Sequence, residues 1–333
     1  MRQPEVARLT SLALALLLVL PVARPLRALL VTGAFLVELL SGGSIHALSA
    51  LTPPPVTRAL SVRDARVDTY AAPTLVAGTP LVLVHGYAPA GKDEPRVQQA
   101  AALLARAGFE VAVPTIPGLT RGRLRPDDAA PVAAAIQARE TPSVILAVSV
   151  GAGPALLAAV EPGVRDRVRA VVCLGGYASA AELLRFYLTG DFAFADTRGH
   201  VDHDPEIVRA FLDANADLVD PATRASVAAG DRARVGSFLE RPPAPVRALL
   251  DALSPERVVR ALPAPLILIH GRQDRAVPYT ESLRLAAARP DDTRVVIVGL
   301  FDHVEGTAVA STWRAAREFL SLWSILYALS ADG

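Results

Sequence analysis

The stretch that decides the fold is SVILAVSVGAG, residues 143–153. Its first half is an apolar, largely β-branched run of the kind that forms a buried strand. The run ends at Ser149, whose hydroxyl lies at the start of a glycine-rich turn. Pro154 follows at a position suited to the first turn of a helix. A serine on a sharp strand-to-helix turn projects from the sheet edge beside free backbone N–H groups. This setting turns a weak alcohol into a usable nucleophile.

Small residues flank Ser149 on both sides. Ala147 and Gly151 leave room where the strand and the helix pass close to each other. The usual pattern has glycine at the first of these positions, and Ala147 is a mild departure because alanine adds a single methyl group. Taken alone, this pentapeptide also fits a serine in an ordinary turn between a strand and a helix.

Three further buried-strand patterns end beside polar residues: residues 80–84 before His85 and Gly86, residues 265–269 before Asp274, and residues 294–300 before Asp302 and His303. A serine, an aspartate and a histidine therefore each follow a strand end, in that chain order. With this order the chain resembles the α/β-hydrolase superfamily over about residues 62–329. The resemblance implies an enzyme.

The resemblance assigns roles to these residues. Ser149 attacks an acyl carbon, His303 takes the proton from Ser149 and returns it to the leaving group, and Asp274 orients the histidine. Asp302 is the alternative acid, but a side chain adjacent to His303 has to fold back sharply, which favours Asp274. The alternative for His303 is a loop histidine without a catalytic role.

By the same resemblance, the oxyanion hole is formed by the backbone N–H groups of Val150 and Tyr87. Gly86 lets the chain approach the acyl group closely, because a Cβ at this position would crowd it. We expect His85 to be structural.

Apolar runs alternate with amphipathic helical patterns along the chain. Strands are predicted at residues 61–72, 81–84, 110–114, 143–148, 168–174, 266–269 and 294–298, and helices at residues 95–107, 127–138, 154–159, 280–288 and 306–329. This alternation predicts an α/β protein whose mostly parallel sheet has helices on both faces. In such sheets the ligand lies beyond the carboxyl ends of the strands, where the candidate residues fall.

The chain divides into four predicted regions: a hydrophobic segment over residues 1–51, a proline-rich linker over residues 52–61, a hydrolase core over residues 62–179 and 259–333, and a helical cap over residues 180–258. The cap pattern shows helices at residues 180–187, 205–218, 221–239 and 245–253 and no convincing strand. Six aromatic residues are concentrated in the cap: Phe186, Tyr187, Phe192, Phe194, Phe211 and Phe238. They either line an apolar substrate pocket or form the small core of the cap, which we favour.

Composition excludes some classes of partner. The formal net charge is +1, which gives no reason to expect nucleic acid as a ligand. Lys92 is the only lysine beside many arginines and alanines, which is typical of a GC-rich bacterial genome. The single Cys173 lies in an apolar strand pattern and is expected to be a buried small side chain. One cysteine leaves the redox compartment undecided.

The first fifty residues are the most apolar part of the chain. Residues 9–23 carry no charge, and residues 28–51 are interrupted by Glu38. A spanning helix needs about 20 apolar residues, so the first run is short and the second is imperfect. A cleaved signal, a single anchor and a helical hairpin remain open, and an extra pair of core helices is the alternative. We expect residues 9–51 to attach the protein to a membrane, the bacterial inner membrane, and residues before Thr52 to contribute little to the catalytic fold.

Two motifs resemble ligand sites without fitting one. His200 to Asp204 has the residue types of a metal cluster, but Asp204, Pro205 and Glu206 form an ordinary helix start. The glycines at residues 151–153 and 91 fit neither dinucleotide nor P-loop patterns. We therefore expect neither a metal nor an organic cofactor.

The sequence thus favours a serine hydrolase that cleaves a carboxylic ester or thioester of an apolar acyl substrate through an acyl-enzyme. Serine at the nucleophile position argues against the branches of the superfamily that use aspartate. An acyltransferase with the same triad is a second possibility. A membrane-tethered binding protein on a hydrolase fold is a third.

Overall fold

The computed structural model describes residues 24–73, 78–299 and 312–331. The strands in this part of the chain are β1 (Val56–Val62), β2 (Ala65–Ala71), β3 (Thr79–Val84), β4 (Phe109–Pro114), β5 (Ser143–Val148), β6 (Val168–Leu174), β7 (Asp191–Phe194), β8 (Thr197–His200), β9 (Leu266–Gly271) and β10 (Thr293–Val298). The α-helices are α1 (Arg24–Leu40), α2 (Pro95–Arg106), α3 (Ala129–Gln137), α4 (Ala152–Ala159), α5 (Ala180–Thr189), α6 (Pro205–Ala214), α7 (Pro221–Ala228), α8 (Arg232–Glu240), α9 (Ala244–Ala252), α10 (Thr280–Ala288) and α11 (Thr312–Ala331).

Eight of the strands form one sheet in the order β1-β2-β4-β3-β5-β6-β9-β10. The six strands from β4 to β10 in this order are parallel, and the hairpin of β1 and β2 adds two antiparallel strands at one edge. The predicted mostly parallel sheet is therefore confirmed. Because the carboxyl ends of parallel strands meet at one edge, the residues that follow β3, β5 and β9 share that edge.

Alternate residues of each strand point to opposite faces of the sheet. On what we call the cap-side face, Val82, Ile145 and Cys173 pack against α3, α4, α10 and the cap helices. On the terminal-helix face, Leu83 and Leu146 pack against α1, α2 and α11. Cys173 is fully buried, as its strand pattern predicts, and burial raises the pKa of its thiol to about 12.

The N-terminal helix α1 belongs to the core of the molecule. Phe35, Leu36 and Leu48 are buried in the same cluster as the sheet residues of the terminal-helix face. The expectation that residues before Thr52 contribute little to the fold is therefore wrong for residues 24–51. Within the described ranges, none of the helices combines the length and hydropathy that crossing a bilayer requires. The apolar run at residues 9–23 lies outside the described residues.

Glu38 explains why the second apolar stretch resembles an imperfect anchor. Its carboxylate is buried and accepts hydrogen bonds from the backbone N–H groups of Leu48 and Ser49, both at 2.8 Å. Burial alone raises the pKa of Glu38, but these hydrogen bonds outweigh it and hold the pKa below its ordinary value. The charge that interrupts the run thus ties the end of α1 to the turn that follows.

The cap differs from the prediction in two places. Residues 191–200 form a small antiparallel hairpin, β7 and β8, although no strand was predicted there. Four-residue strands with one exposed side are too short to give a clear alternating pattern. The helix predicted over residues 221–239 is two helices, because Gly230 adopts a left-handed φ of +69° between them. The edge strand predicted at residues 61–72 is likewise the hairpin of β1 and β2.

Candidate active site

Ser149 occupies a strained turn between β5 and α4. Its φ of +53° lies in the left-handed region, which costs a residue with a side chain roughly 1–2 kcal/mol. The three other such non-glycine residues of the described chain, Arg63, Ala195 and Asp292, lie in turns that lead into strands. Ser149 alone among them joins a strand to a helix. The surrounding structure holds Ser149 in this unfavourable conformation at the carboxyl end of β5.

The end of β3 lies directly against this turn. A Cβ built on Gly151 would overlap the carbonyl oxygen of His85, so this position has to be glycine. A Cβ on Gly86 would lie 3.0 Å from the Val148 carbonyl oxygen and 3.1 Å from the Ser149 Cβ. Both are tighter than ordinary contacts. Gly86 and Ser149 are therefore brought together, as the sequence predicts.

His85 fixes the backbone of the predicted oxyanion loop. Its Nε2 accepts from the N–H of Ile116 at 3.1 Å, so its Nδ1 carries the proton and donates to the Gly86 carbonyl at 2.7 Å. Burial lowers the pKa of His85, which keeps this neutral form. The carbonyl of Gly86 and the N–H of Tyr87 belong to one planar peptide and point in opposite directions. The hydrogen bond from His85 to the Gly86 carbonyl thus determines where the Tyr87 N–H points. His85 therefore holds the backbone of this loop in place.

Asp274 sits three residues beyond the end of β9. One carboxylate oxygen, Oδ1, accepts the backbone N–H groups of Ala276 and Val277 at 2.8 and 2.9 Å. The other, Oδ2, lies 3.4 Å from Nε2 of His270, whose closer partner is the Val277 carbonyl at 2.9 Å. The carboxylate is buried and held rigidly by its own turn.

Ser149 and Asp274 lie at the same edge of the sheet with one strand, β6, between theirs. Adjacent strands are about 4.8 Å apart, so the two strand ends are separated by roughly 10 Å. The predicted triad requires a histidine between them. The two candidates for this region, Asp302 and His303, lie outside the described residues. The strand before them, β10, pairs with β9 and ends at Val298.

A ring stack in the cap lies near Asp274, and sequence analysis did not connect the two. The ring of Tyr187 stacks on Phe211 with centroids 4.2 Å apart and on His203 with centroids 5.4 Å apart. Burial, and after it the negative charge of Asp274, raises the pKa of Tyr187 to about 12. Tyr187 is therefore within electrostatic reach of the predicted acid. No local sequence signal indicates this proximity.

Asn215 ties the end of α6 to the loop beside the site. Its buried side-chain amide accepts from the Leu124 N–H at 2.9 Å and donates to the Gly122 carbonyl at 2.9 Å. Gly122 in turn faces the ring of Tyr87, because a Cβ on it would lie 3.5 Å from that ring. The cap is thereby fixed next to the predicted oxyanion loop.

The aromatic residues of the cap have different surroundings. Phe186 and Phe238 are buried, as the core interpretation requires. Phe192 contacts Phe186 edge to face at 6.0 Å, and the guanidinium of Arg284 lies over the ring of Phe194. Tyr187 and Phe211 are half-buried and stack on each other.

The histidine and aspartate residues that resemble a metal cluster are engaged with each other. Both ring nitrogens of the exposed His200 contact carboxylates, Nδ1 with Asp191 at 2.7 Å and Nε2 with Asp202 at 3.1 Å. These contacts raise the pKa of His200. Asp204 accepts the N–H of Glu206 at 2.8 Å and caps α6, which confirms the helix start. Among the described residues, no group of three or more such side chains has a metal-binding arrangement.

The strand order, the parallel edge and the serine turn between β5 and α4 define an α/β protein built like a hydrolase. The family model described as the alpha/beta hydrolase fold matches residues 79–303, more than half of the sequence. The chain belongs to this family, and the prediction of an α/β-hydrolase-type enzyme is confirmed.

Solved structures show the same fold at low sequence identity. A 2,6-dihydroxy-pseudo-oxynicotine hydrolase aligns with a TM-score of 0.53 and 18% identity over 89% of this chain and 73% of its own. Est1E from Butyrivibrio proteoclasticus aligns with a TM-score of 0.50 and 14% identity, over 82% and 98%. A puromycin-hydrolyzing peptidase from Mycobacterium tuberculosis has a TM-score of 0.51 and 19% identity over 83% of this chain, which spans only 39% of the peptidase. Comparison with curated protein sequences gives no significant match.

Proposed function

We propose that this protein is a serine hydrolase that cleaves a carboxylic ester or thioester through an acyl-enzyme intermediate. The observation that carries the proposal is the left-handed backbone of Ser149 between β5 and α4, with Gly86 packed against it. A chain keeps a strained residue only where its surroundings demand that conformation, and such residues cluster at active sites. Among the described non-glycine residues with such a backbone, Ser149 is the one that joins a strand to a helix at the carboxyl edge of the parallel sheet.

In the proposed reaction, the Ser149 oxygen attacks the acyl carbon while His303 accepts the hydroxyl proton. The carbonyl oxygen of the substrate then becomes negatively charged and accepts hydrogen bonds from the N–H groups of Val150 and Tyr87. His303 returns the proton to the leaving alcohol or thiol, which departs and leaves Ser149 acylated. In the second half the same histidine takes a proton from water, and the water oxygen attacks the acyl carbon. The bond to the Ser149 oxygen then breaks, the histidine returns its proton to that oxygen, and the free acid leaves. Asp274 stabilises the histidine while it is charged, between the two proton transfers of each half.

The proposed acyl group is apolar. The half-buried rings of Tyr187 and Phe211 belong to the same stack, and Tyr187 lies within electrostatic reach of Asp274. A substrate that approaches the carboxyl edge of the sheet therefore meets aromatic surface from the cap. Apolar pockets with a few placed polar groups are typical of small-molecule sites.

The proposal is tested with a fluorophosphonate probe, which phosphonylates activated serines. We expect the full-length protein to be labelled at Ser149 and the Ser149→Ala variant to remain unlabelled and unable to hydrolyse p-nitrophenyl esters. Ser61→Ala is the matched control, because Ser61 is exposed on the edge strand β1 and should leave labelling unchanged. If a folded Ser149→Ala variant is labelled and hydrolyses esters at the parent rate, the nucleophile is elsewhere.

We further propose that the protein associates with a membrane surface. Exposed apolar side chains line one side of α1, since Leu26, Leu29, Leu30 and Val37 fall on a single helical face. Residues 9–23, which precede them, carry no charge, and Arg24 and Arg27 stand at the junction. An apolar face with neighbouring arginines suits the boundary between acyl chains and anionic headgroups.

Flotation with vesicles that contain anionic lipid tests this association. We expect the full-length protein to float with the vesicles and Leu30→Glu to reduce the bound fraction. Ile207→Glu is the control, because Ile207 is exposed to a similar degree, 55% against 64% for Leu30, but lies on the cap. Equal losses for the two variants, or no flotation of the parent, would contradict the proposal.

A further inference from the structure

A groove lined by arginines lies beside the predicted oxyanion loop. Its volume is about 430 Å³, which is within the range of small-molecule sites. The groove is bounded by the turn between β1 and β2, by the loop that follows β4 and by the first two turns of α3. Its charged lining residues are Arg63, Asp64, Arg66 and Arg121, and we call it the arginine groove.

Among the described residues, the three arginines of the groove lack a partner. Arg63, Arg66 and Arg121 are exposed, and none of them forms an ion pair or a side-chain hydrogen bond there. Asp64 belongs to the same lining but does not pair with them. Positive charges around one groove repel each other, so an anion that enters the groove relieves this repulsion.

The next arginines along the same loop are neutralised within the protein. The guanidinium of Arg123 pairs with Asp217 at 2.7 Å, and that of Arg125 pairs with Asp127 at 2.9 Å. The unpaired charge is therefore a property of the groove and not of the whole loop.

The loop after β4 connects the arginine groove to the predicted site. The N–H of Ile116 donates to Nε2 of His85 at 3.1 Å, and Gly122, which follows Arg121, faces the ring of Tyr87. In the sheet, β3 lies between β4 and β5, so the carboxyl ends of β4 and β5 are roughly 10 Å apart. The strand β9, which precedes Asp274, lies on the other side of β5. The groove and the aromatic stack near Asp274 thus lie on opposite sides of the serine turn.

We propose that the arginine groove binds the phosphate groups of the substrate's leaving group. Guanidinium groups bind phosphate oxygens through paired, charge-assisted hydrogen bonds. Three arginines against one acid leave more positive charge than a single carboxylate neutralises, which favours a polyanion such as a pyrophosphate. The small side chains of Ala65, Pro131 and Ala134 line the same groove and leave room for it.

This inference rests on the proposed function and names its substrate class. The substrate is an ester or thioester with two different ends. Its apolar acyl chain lies towards the cap, and its alcohol or thiol carries phosphate on a spacer of roughly 10 Å, the separation of the two strand ends.

Binding is tested first, without any requirement for hydrolysis. Pyrophosphate is titrated into the full-length Ser149→Ala protein at low salt by isothermal titration calorimetry. We expect saturable binding that Arg63→Gln and Arg121→Gln each weaken about tenfold, because each removes one charged donor. Arg232→Gln is the matched control, since Arg232 is exposed on the cap helix α8 and also lacks an ion pair among the described residues. An absence of binding, or equal losses in all three variants, would overturn the proposal.

The role in substrate selection is tested with two thioesters. Decanoyl-coenzyme A and decanoyl-pantetheine share the acyl chain and the thioester, but only the first carries phosphate groups. We expect kcat/KM of the parent protein to be about tenfold higher for decanoyl-coenzyme A, and we expect Arg121→Gln to remove this preference through KM while Arg232→Gln retains it. Equal kcat/KM values for the two thioesters would overturn the inference and leave the proposed hydrolase function standing. Hydrolysis of neither would also overturn it, and labelling of Ser149 would then show whether the proposed function survives.

Anionic lipid headgroups present the same phosphate chemistry at a membrane surface, so a last measurement separates the two sources. Flotation with vesicles that contain anionic lipid should be the same for Arg121→Gln and for the parent protein. A lower bound fraction for Arg121→Gln than for Arg232→Gln would assign the groove to the membrane and contradict its role in substrate binding.

Discussion

The two faces of the central sheet are covered differently, although β5 contributes equally to both. Its residues Ile145 and Ala147 are fully buried on the cap-side face. On the terminal-helix face Val144 is fully buried as well, but Leu146 and Val148, nearer the carboxyl end, are half-buried. The helices α3 and α4 are rich in alanine, and most of their side chains are buried against the sheet. The terminal helices carry larger side chains and border an apolar cavity of about 150 Å³ between them and the sheet.

This difference shows where the molecule is rigid. The turn that holds Ser149 leads directly into α4, and the cap is tied to the neighbouring loop by Asn215. A reactive group has to be held within a fraction of an ångström, and a close-packed face supplies that support. The opposite face carries no such requirement and contains an apolar cavity.

The largest expected effect is a loss of activity on substitution of a proposed catalytic residue at the carboxyl edge of the sheet. Asp274→Asn should lower kcat for p-nitrophenyl esters about 10⁴-fold, because the amide favours the wrong histidine tautomer. The carbonyl of the new amide can still accept the two N–H groups of the turn, so the fold should persist.

Asp302→Asn is the comparison for this experiment and should have a smaller effect on kcat. Circular dichroism of both variants checks that each is folded. If Asp302→Asn proves the more damaging of the two, the acid is Asp302 and not Asp274.

The second test compares the two faces directly on one strand. Ile145→Ala should reduce the free energy of unfolding by about 2–5 kcal/mol, because it leaves a cavity in a close-packed region. Leu146→Ala should cost only about 1–2 kcal/mol, since its side chain is half-buried and already borders free space. Urea unfolding measures both values. Equal losses for the two variants would mean that the two faces are packed alike. Ile145→Val is the control for a smaller deletion at the same site and should reduce the free energy of unfolding by about 0.5–1.5 kcal/mol.

The sequence predicts the sheet well for a physical reason. Strands buried on both faces, such as β5 and β6, are continuous apolar runs that local pattern identifies. The turn at Ser149 is likewise local, because its glycine and helix start lie within a few residues. Periodicity alone does not distinguish a core helix from a membrane segment. The sequence therefore does not predict that α1 packs in the core.

Other features of the site depend on contacts between distant parts of the chain. Asn215 bonds to Gly122 and Leu124, which are more than 90 residues away, and no property of the segment around Asn215 indicates this. Likewise, no property of the segment around Tyr187 indicates that it lies within electrostatic reach of Asp274. The roles proposed for Ser149, Asp274 and His303 remain predictions, and His303 lies outside the described residues.

A third test concerns a buried charge on the cap-side face. Oδ1 of Asp128 accepts the Gly118 N–H at 2.8 Å, while its buried Oδ2 has no hydrogen-bond partner among the described residues. Burial raises the pKa of Asp128 from 3.8 to about 6. The folded protein therefore binds more protons than the unfolded chain between these values. Stability should fall as pH rises through this window, and the ionised form should cost up to about 3 kcal/mol above it.

Asp128→Asn removes this ionisation. We expect a gain of about 1–2 kcal/mol in the free energy of unfolding at pH 8 and a flatter dependence on pH between 4 and 6. Urea unfolding at pH 4.5, 6 and 8 provides the measurement. Asp127→Asn is the control, because Asp127 is exposed beside Arg125 and should change stability little. A loss of stability at pH 8 in Asp128→Asn would show that the charge is compensated.

The smallest expected change in the free energy of unfolding concerns a hydrogen bond between the two terminal helices. Trp323→Phe removes the indole N–H that contacts the Leu29 carbonyl and the Thr32 hydroxyl but keeps an aromatic ring against Gly33. A single hydrogen bond of this kind contributes about 1 kcal/mol, so the free energy of unfolding should fall by that amount. Labelling of Ser149 by the fluorophosphonate should stay at the parent rate, because the terminal helices pack on the face opposite α4. A loss as large as that of Ile145→Ala, or slower labelling, would mean that the terminal helices support the site as firmly as the cap-side face does, and the contrast between the faces would then fail.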